Sequence, residues 1–219
     1  MTKDLIAVAA AAAANSSAAK GLFQKQWAIR GQEGTLRASG KHRFIARDGE
    51  WQTEWDFSFV GHVLVQCQGS VSLRHRLIDK IIHTTLSEKW PGGKLQHPIA
   101  LIPVKVPVFD ISDAGPPELE ELVSSRAARW WSLAHAAQAT LQPLKESRKN
   151  YLDYLQREDA WVYVYEPAVR FLMVLGKDPD AAWRRAADRE GDSGINAAFF
   201  DWCERNRATV TASAEKIYA

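Results

Sequence analysis

Lys20, Lys25, Arg30, Arg37, Lys41, Arg43 and Arg47 crowd residues 20–47 against the lone carboxylate of Glu33, with Phe23, Trp27 and Phe44 between them. Cations at this density follow the phosphates of a polyanion, and interleaved rings stack its bases. Together they are what a single-stranded DNA or RNA surface needs. Asp48-Gly49 qualifies the reading, because that dipeptide favours a two-residue hairpin turn. Such a turn pairs Arg47 with Glu50, Arg43 with Glu54 and Lys41 with Asp56. Three of the seven charges then face carboxylates, which leaves Lys20, Lys25, Arg30 and Arg37 for phosphate.

Arg76, Lys80 and His83 follow at spacings of four and three, so a helix there projects all three from one side. Arg76 and Lys80 extend the set of nucleic-acid-binding candidates, and a solvated helix face accounts for the same spacing. Arg76 and His83 also resemble the Arg-x4–6-His signature of HEPN-type ribonucleases, in which the pair acts on the RNA backbone. The resemblance covers only these positions and implies a catalytic pair, Arg76 and His83, in place of a purely binding surface. Arg129 and His135 fit the same pattern, but six residues on a regular helix set them about 120° apart.

Other chemistries leave no linear trace. His42, His62, His75, His83, His97 and His135 have no ligand spacing, and Cys67 and Cys203 lie far apart without a Cys-x-x-Cys partner, so neither a metal site nor a disulfide is expected. Phosphate-loop, dinucleotide-binding and nucleophile-elbow motifs are absent from the sequence, and no cofactor is expected. Pro91-Gly92-Gly93-Lys94 is glycine-rich, as a phosphate contact requires, and a loop joining helix to strand accounts for it equally well. Residues 186–207 have the outline of a helix-turn-helix, but Asp192 sits where an apolar residue usually locks the turn. Asp201 and Glu204 in the second helix also oppose phosphates, so a plain helical hairpin is the better reading. Nine tryptophans are many for this length, and adjacent Trp130 and Trp131 cannot both point at the centre of one narrow stripe. Trp131 is therefore the candidate for a protein interface, with packing at the core edge as the other reading.

The elements that must position these residues follow from composition and periodicity. The 219 residues, 46% hydrophobic and 25% charged, belong to a globular chain with room for one large or two small domains. Net charge is only +2, yet residues 1–110 hold 14 basic and 9 acidic side chains, and residues 111–219 hold 14 and 17. Leu5 to Ala14 imitates a secretory signal core, but it is mostly alanine and Asp4 offsets Lys3. An alanine-rich helix from Thr2 to Ala14 or a little beyond is expected, in a chain with no membrane span and a reducing, cytoplasmic setting.

Strands are expected at Gln26–Arg30, Thr35–Ala38, Lys41–Arg47, Glu50–Val60 and His62–Cys67, with Phe44, Trp55, Phe57 and Phe59 on the buried face. An amphipathic helix follows over Val71–Lys89. Six of the nine prolines fall between Pro91 and Pro117, which confines Ile99–Phe109 to a strand that is not central. A long helix then carries Leu119, Leu122, Val123, Ala127, Trp130, Ala134, Ala137 and Leu141 on one face until Pro143. Further helices are expected over Tyr151–Arg157, Ala181–Arg189 and Ile195–Arg207, with the dense segment from Trp161 to Leu175 at their centre.

The sequence thus predicts an α+β protein: an N-terminal, mainly antiparallel sheet with one amphipathic helix, followed by a helical C-terminal half. Its expected segments are an alanine-rich helix over 1–20, a β-rich region over 21–112 and a helical region over 113–219. The function expected is that of a non-catalytic, nucleic-acid-associated binding protein or a subunit of a larger nucleoprotein assembly. Its partners would be single-stranded DNA or RNA at the basic N-terminal half and a protein at the helical half. A ribonuclease using Arg76 and His83, and a pure protein-interaction or inhibitor module, are the alternatives.

Overall fold

The computed structural model describes residues 2–30, 36–40, 42–61, 64–87, 99–111, 114–155, 167–187 and 195–219. The mainly antiparallel sheet and the helical C-terminal half are both present. Six strands, β1 (Arg37–Ala38), β2 (Arg43–Asp48), β3 (Trp51–Gly61), β4 (Leu64–His75), β5 (Ala100–Lys105) and β6 (Phe109–Asp110), form one sheet. Its order is β1-β2-β3-β4-β5, and β6 pairs antiparallel with the start of β4 through Leu64 with Asp110 and Val65 with Phe109. Pro103 on β5 is exposed, and β5 ends the strand order, where a residue that cannot donate to the ladder costs least.

The first helix is longer than the sequence suggests: α1 runs from Thr2 to Arg30, so Gln26–Arg30 is helical and not a strand. The reason lies in Ser16, Ala19, Phe23 and Trp27, all buried and spaced by three, four and four residues, the period of a helix face. A five-residue window shows only a short apolar run, Trp27-Ala28-Ile29, between two polar ends. The same face is tied down by polar contacts: Asn15 Nδ2 donates to the Ile111 carbonyl at 2.8 Å and Ser16 Oγ to the Gly61 carbonyl at 3.3 Å.

The β2–β3 hairpin forms with its loop moved by one residue. Gly49 and Glu50 make the turn, Gly49 taking a left-handed φ of 56°, and the Phe57 N–H donates to the His42 carbonyl at 3.0 Å. Arg47 therefore meets Gln52, at 3.4 Å, and not Glu50. Moving the loop by one shifts the pairing by two, so every side chain keeps its face. Arg43 Nε still reaches Glu54 at 2.9 Å, and Asp56 at 3.3 Å. Lys41, the third expected partner, lies outside the described residues.

A second correction concerns Val71–His75, which extends β4; the amphipathic helix α2 begins only at Arg76 and ends at Ser87. Val71, Ser72 and Leu73 are buried in succession, as in a strand covered on both faces. The stripe itself survives in Ile78 and Ile82, both buried on α2. The long helix α3 (Pro116–Leu141) buries the expected stripe except Leu122, which lies at its edge and is half-buried. Glu118 Oε2 accepts the Gly115 N–H at 3.0 Å and so fixes its start, and a 3-10 turn over Gln142–Glu146 takes over at Pro143.

The chain forms two compact units, each assembled from three segments. The first comprises 1–48, 52–72 and 101–142; the second comprises 49–51, 73–100 and 143–219. The first unit is an aromatic core. Trp27 stacks on Phe57 with centroids 3.8 Å apart and receives the edges of Trp130 and Trp131 at 4.4 and 5.0 Å. The second unit is helical: α4 (Arg148–Leu155), α5 (Pro167–Lys177), α6 (Pro179–Ala187), α7 (Ile195–Arg205) and α8 (Arg207–Glu215) join α2. α5 touches α6, α7 and α8, as expected for the dense segment it ends, and Phe171 meets Trp183, Phe199 and Phe200. The expected Ile195–Arg207 helix is two helices, broken at Asn206. The loop at Pro91–Lys94, the first part of the dense segment (161–166) and the middle of the expected helical hairpin (188–194) lie outside the described residues. Among the described residues no helix is long and apolar enough to cross a membrane.

At Gly69 in β4, a Cβ would meet the Asp56 carbonyl oxygen and lie 2.7 Å from Phe57 Cα, both on the neighbouring strand. Backbone cannot yield as a side-chain tip does. The Gly69→Ala protein is expected to lose about 1–3 kcal/mol, the usual range for overpacking, seen as a lower urea midpoint; an unchanged midpoint would contradict the close approach.

Candidate functional site

Of the residues proposed to meet nucleic acid, Lys20, Lys25 and Arg30 sit on α1 and Arg37 on β1, all in the first unit. Helical geometry spreads the first three around α1: steps of five residues turn about 140° each, so they do not form one row. Lys25 and Arg37 are exposed, and Lys20 and Arg30 are half-buried. None of the four makes an ion pair among the described residues, whereas Arg43 is engaged by Glu54 and Asp56. The Arg30 Nε is buried without a hydrogen-bond partner among those residues.

Lys20 also lines a cleft of about 450 Å³ that linear reading did not reveal. One wall is the α1 turn of Lys20, Phe23 and Gln24; the other is the start of the β2–β3 pair, with His42, Phe57, Ser58 and Phe59. Phe57 is held from behind by Trp27, and the exposed His42 ring stands edge-on to it at 5.4 Å. Helix spacing places Lys20 beside Gln24, and strand alternation places Phe57 beside Phe59. What unites them is the packing of Phe23 and Trp27 of α1 on Phe57 and Phe59, and that is a tertiary fact.

Arg76, Lys80 and His83 belong to the second unit, all exposed on α2. Seven residues is nearly two full turns, so Arg76 and His83 do share one side of that helix. Arg129 and His135 are exposed on α3, and His135 lies against Trp55 at 4.8 Å. Trp131 is 8% exposed, its ring set against Trp27, Phe44 and Trp55. Both tryptophans of the pair are buried because helix α1 and the sheet approach α3 from two sides, Trp55 Nε1 donating to Gln138 at 2.9 Å.

The second unit holds a buried polar cluster that also escaped the sequence, since no two of its members suggest a motif. His75 and Asp79 are buried, and the His75 Nδ1 accepts the Ile78 N–H at 3.5 Å where β4 passes into α2. Arg74 Nη1 stands 3.7 Å from Asp79 Oδ2. Tyr151 donates to the Leu73 carbonyl at 3.2 Å, and Trp51 presents edges to His75 and Tyr151 at 4.5 and 5.3 Å. Burial pushes the Asp79 carboxyl up to about 7 against the opposing pull of Arg74. Burial lowers His75, with Arg148 adding to the shift and Glu50 opposing it, and burial raises Tyr151 well above the usual phenol range.

Both thiols are buried and raised to about 12, chiefly by loss of solvent, which removes them as nucleophiles near neutrality. Among the described residues no group of three His, Cys, Asp or Glu side chains is placed to hold a metal ion. Set against family models, curated proteins and solved structures, the chain finds no match in any of the three.

The Asp79 carboxyl makes the stability of the fold depend on pH. Its folded value lies above the ordinary 3.8, so its contribution is complete below about 3.8 and is lost as pH rises through about 7. His75, shifted the other way, withdraws support as pH falls below its ordinary 6.5. Asp79→Asn is expected to flatten the decline between pH 5 and 8, gaining on the order of 3 kcal/mol over the parent at pH 8. Urea melts across that range read the effect; parallel curves for the two proteins would contradict it.

Proposed function

We propose that this chain is a non-catalytic nucleic-acid-associated binding protein, working as an accessory factor or as a subunit of a larger nucleoprotein assembly. One contrast carries the reading. On the basic segment of the first unit, Arg43 is neutralised by Glu54 and Asp56, while Lys20, Lys25 and Arg37 meet no carboxylate among the described residues. Cations without a carboxylate partner release counterions when they meet phosphates, which drives sequence-independent binding, and Lys20 adds an aromatic wall beside it. The support is local: the first unit holds 11 basic and 10 acidic side chains and the second 17 and 16, so neither unit is basic as a whole. The difference between the two halves of the linear sequence disappears because each unit draws on both halves. Binding is therefore expected to be moderate, roughly 10⁻⁴ to 10⁻⁶ M at physiological salt, as for non-specific contact.

Arg76 and His83, exposed on one side of α2, sustain the ribonuclease reading as the second possibility. The protein-interaction reading draws on exposed apolar side chains in the first unit, among them Val60, Leu64 and Val108.

Labelled single-stranded DNA and RNA, titrated with nuclease-free protein over a salt series, test the proposal. Three phosphate contacts predict a slope of log K against log salt of about −2, falling to about −0.7 in Lys25→Glu/Arg37→Glu. Absence of binding at low salt would overturn the proposal. Cleaved RNA that becomes intact with a folded His83→Ala variant would replace it with the ribonuclease reading.

A further inference from the structure

We propose that the cleft between α1 and the β2–β3 pair is a site for a nucleoside phosphate unit, an inference that rests on the nucleic-acid reading of the same surface. The cleft is of ligand-pocket size at about 450 Å³, and three phenylalanines, Phe23, Phe57 and Phe59, line it together with Lys20, Gln24, His42 and Ser58. Phe57 and Phe59 give it an apolar wall, and Phe57 cannot retreat because Trp27 is stacked behind it at 3.8 Å. A rigid aromatic wall favours a planar ring over a flexible chain.

The polar groups select the rest of the ligand. Among the described residues Lys20 is the one Lys, Arg, Asp or Glu lining the cleft, and it attracts a negative group. Gln24, four residues on from Lys20 and exposed on the same side of α1, supplies an amide donor and acceptor of the kind a base edge requires. His42 adds a ring that reaches solvent from the opposite wall. The Ser58 hydroxyl is already directed to the Gln68 carbonyl, at 3.4 Å, and is given no part in recognition. A planar base against the phenylalanines with its phosphate at Lys20 uses each remaining group once.

Two sources supply such a unit, a residue of a single strand and a free mononucleotide, and one set of titrations separates them. The full chain is titrated with a labelled single-stranded oligonucleotide, with an abasic strand of equal length, and with AMP, GMP, CMP and UMP. His42→Ala and Gln24→Ala follow, each checked for folding by circular dichroism; both positions are exposed, so two independent variants guard against loss of structure. The expected result is that the base-bearing strand binds about tenfold more tightly than the abasic one, and that both variants erase most of that preference. Equal binding of the two strands, unchanged by the variants, would overturn the cleft proposal while leaving the nucleic-acid reading standing. Binding of a mononucleotide that both variants weaken, with no strand bound, would support the cleft and overturn the broader reading. Failure of strands and mononucleotides alike would overturn both.

Discussion

The contact on which the first unit depends is the stack of Trp27 on Phe57, parallel and 3.8 Å between centroids. It joins a helix to a strand thirty residues away and fills the space that Trp130 and Trp131 close from the other side. Each large ring removes roughly 200 Å² from water, on the order of 5 kcal/mol at about 25 cal/mol per Å². The indole N–H groups of Trp27 and Trp130 are buried without hydrogen-bond partners among the described residues, so burial and ring geometry, not polar pairing, hold them. Once Trp27 is seated, the preceding turn of α1 must bring Phe23 and Lys20 over the neighbouring part of the sheet. The cleft is thus a by-product of the core.

The second unit uses a different device. At the passage from β4 into α2 it buries an aspartate, a histidine and a tyrosine together, with Arg74 the close partner of Asp79. A buried carboxylate is costly when charged, and its partner repays only part of that cost. The opposed shifts of Asp79 and His75 make the unit lose stability in two directions, through Asp79 as pH rises and through His75 as it falls. The first unit has no counterpart among its described residues: its Arg43 cluster is exposed, and screening there leaves such pairs worth little.

Local features were legible in the sequence, and features made by distant segments were not. The face assignment of the β2–β3 hairpin survived a shift in its loop because strand parity is insensitive to a two-residue change of register. The stripe of α3 from Leu119 to Leu141 was readable because seven buried positions share one period. Pro103 announced a strand at the end of the order. By contrast, the end of α1 was lost because Phe23 and Trp27 fall in the stretch where glycines and basic residues suggest strands. The start of α2 was lost because Leu73 and Leu77 are spaced as in a helix although only Leu77 is in one. The basic candidates were found from composition alone. His42, Gln24 and Phe59 were not joined to them, since no linear rule links a loop histidine to a helix eighteen residues earlier.

The interleaving of the two units bears on how the chain is made. Its path passes between them at residues 48–49, 51–52, 72–73, 100–101 and 142–143, so neither unit corresponds to a fragment that a single cut would release. On a ribosome, the first unit lacks α3, and with it Trp130 and Trp131, until 66 residues beyond the end of β4 have been added, from His75 to Leu141. Over that interval the aromatic face of the sheet has α1 alone to cover it, and apolar strands so placed are exposed to misassembly and to capture by a chaperone.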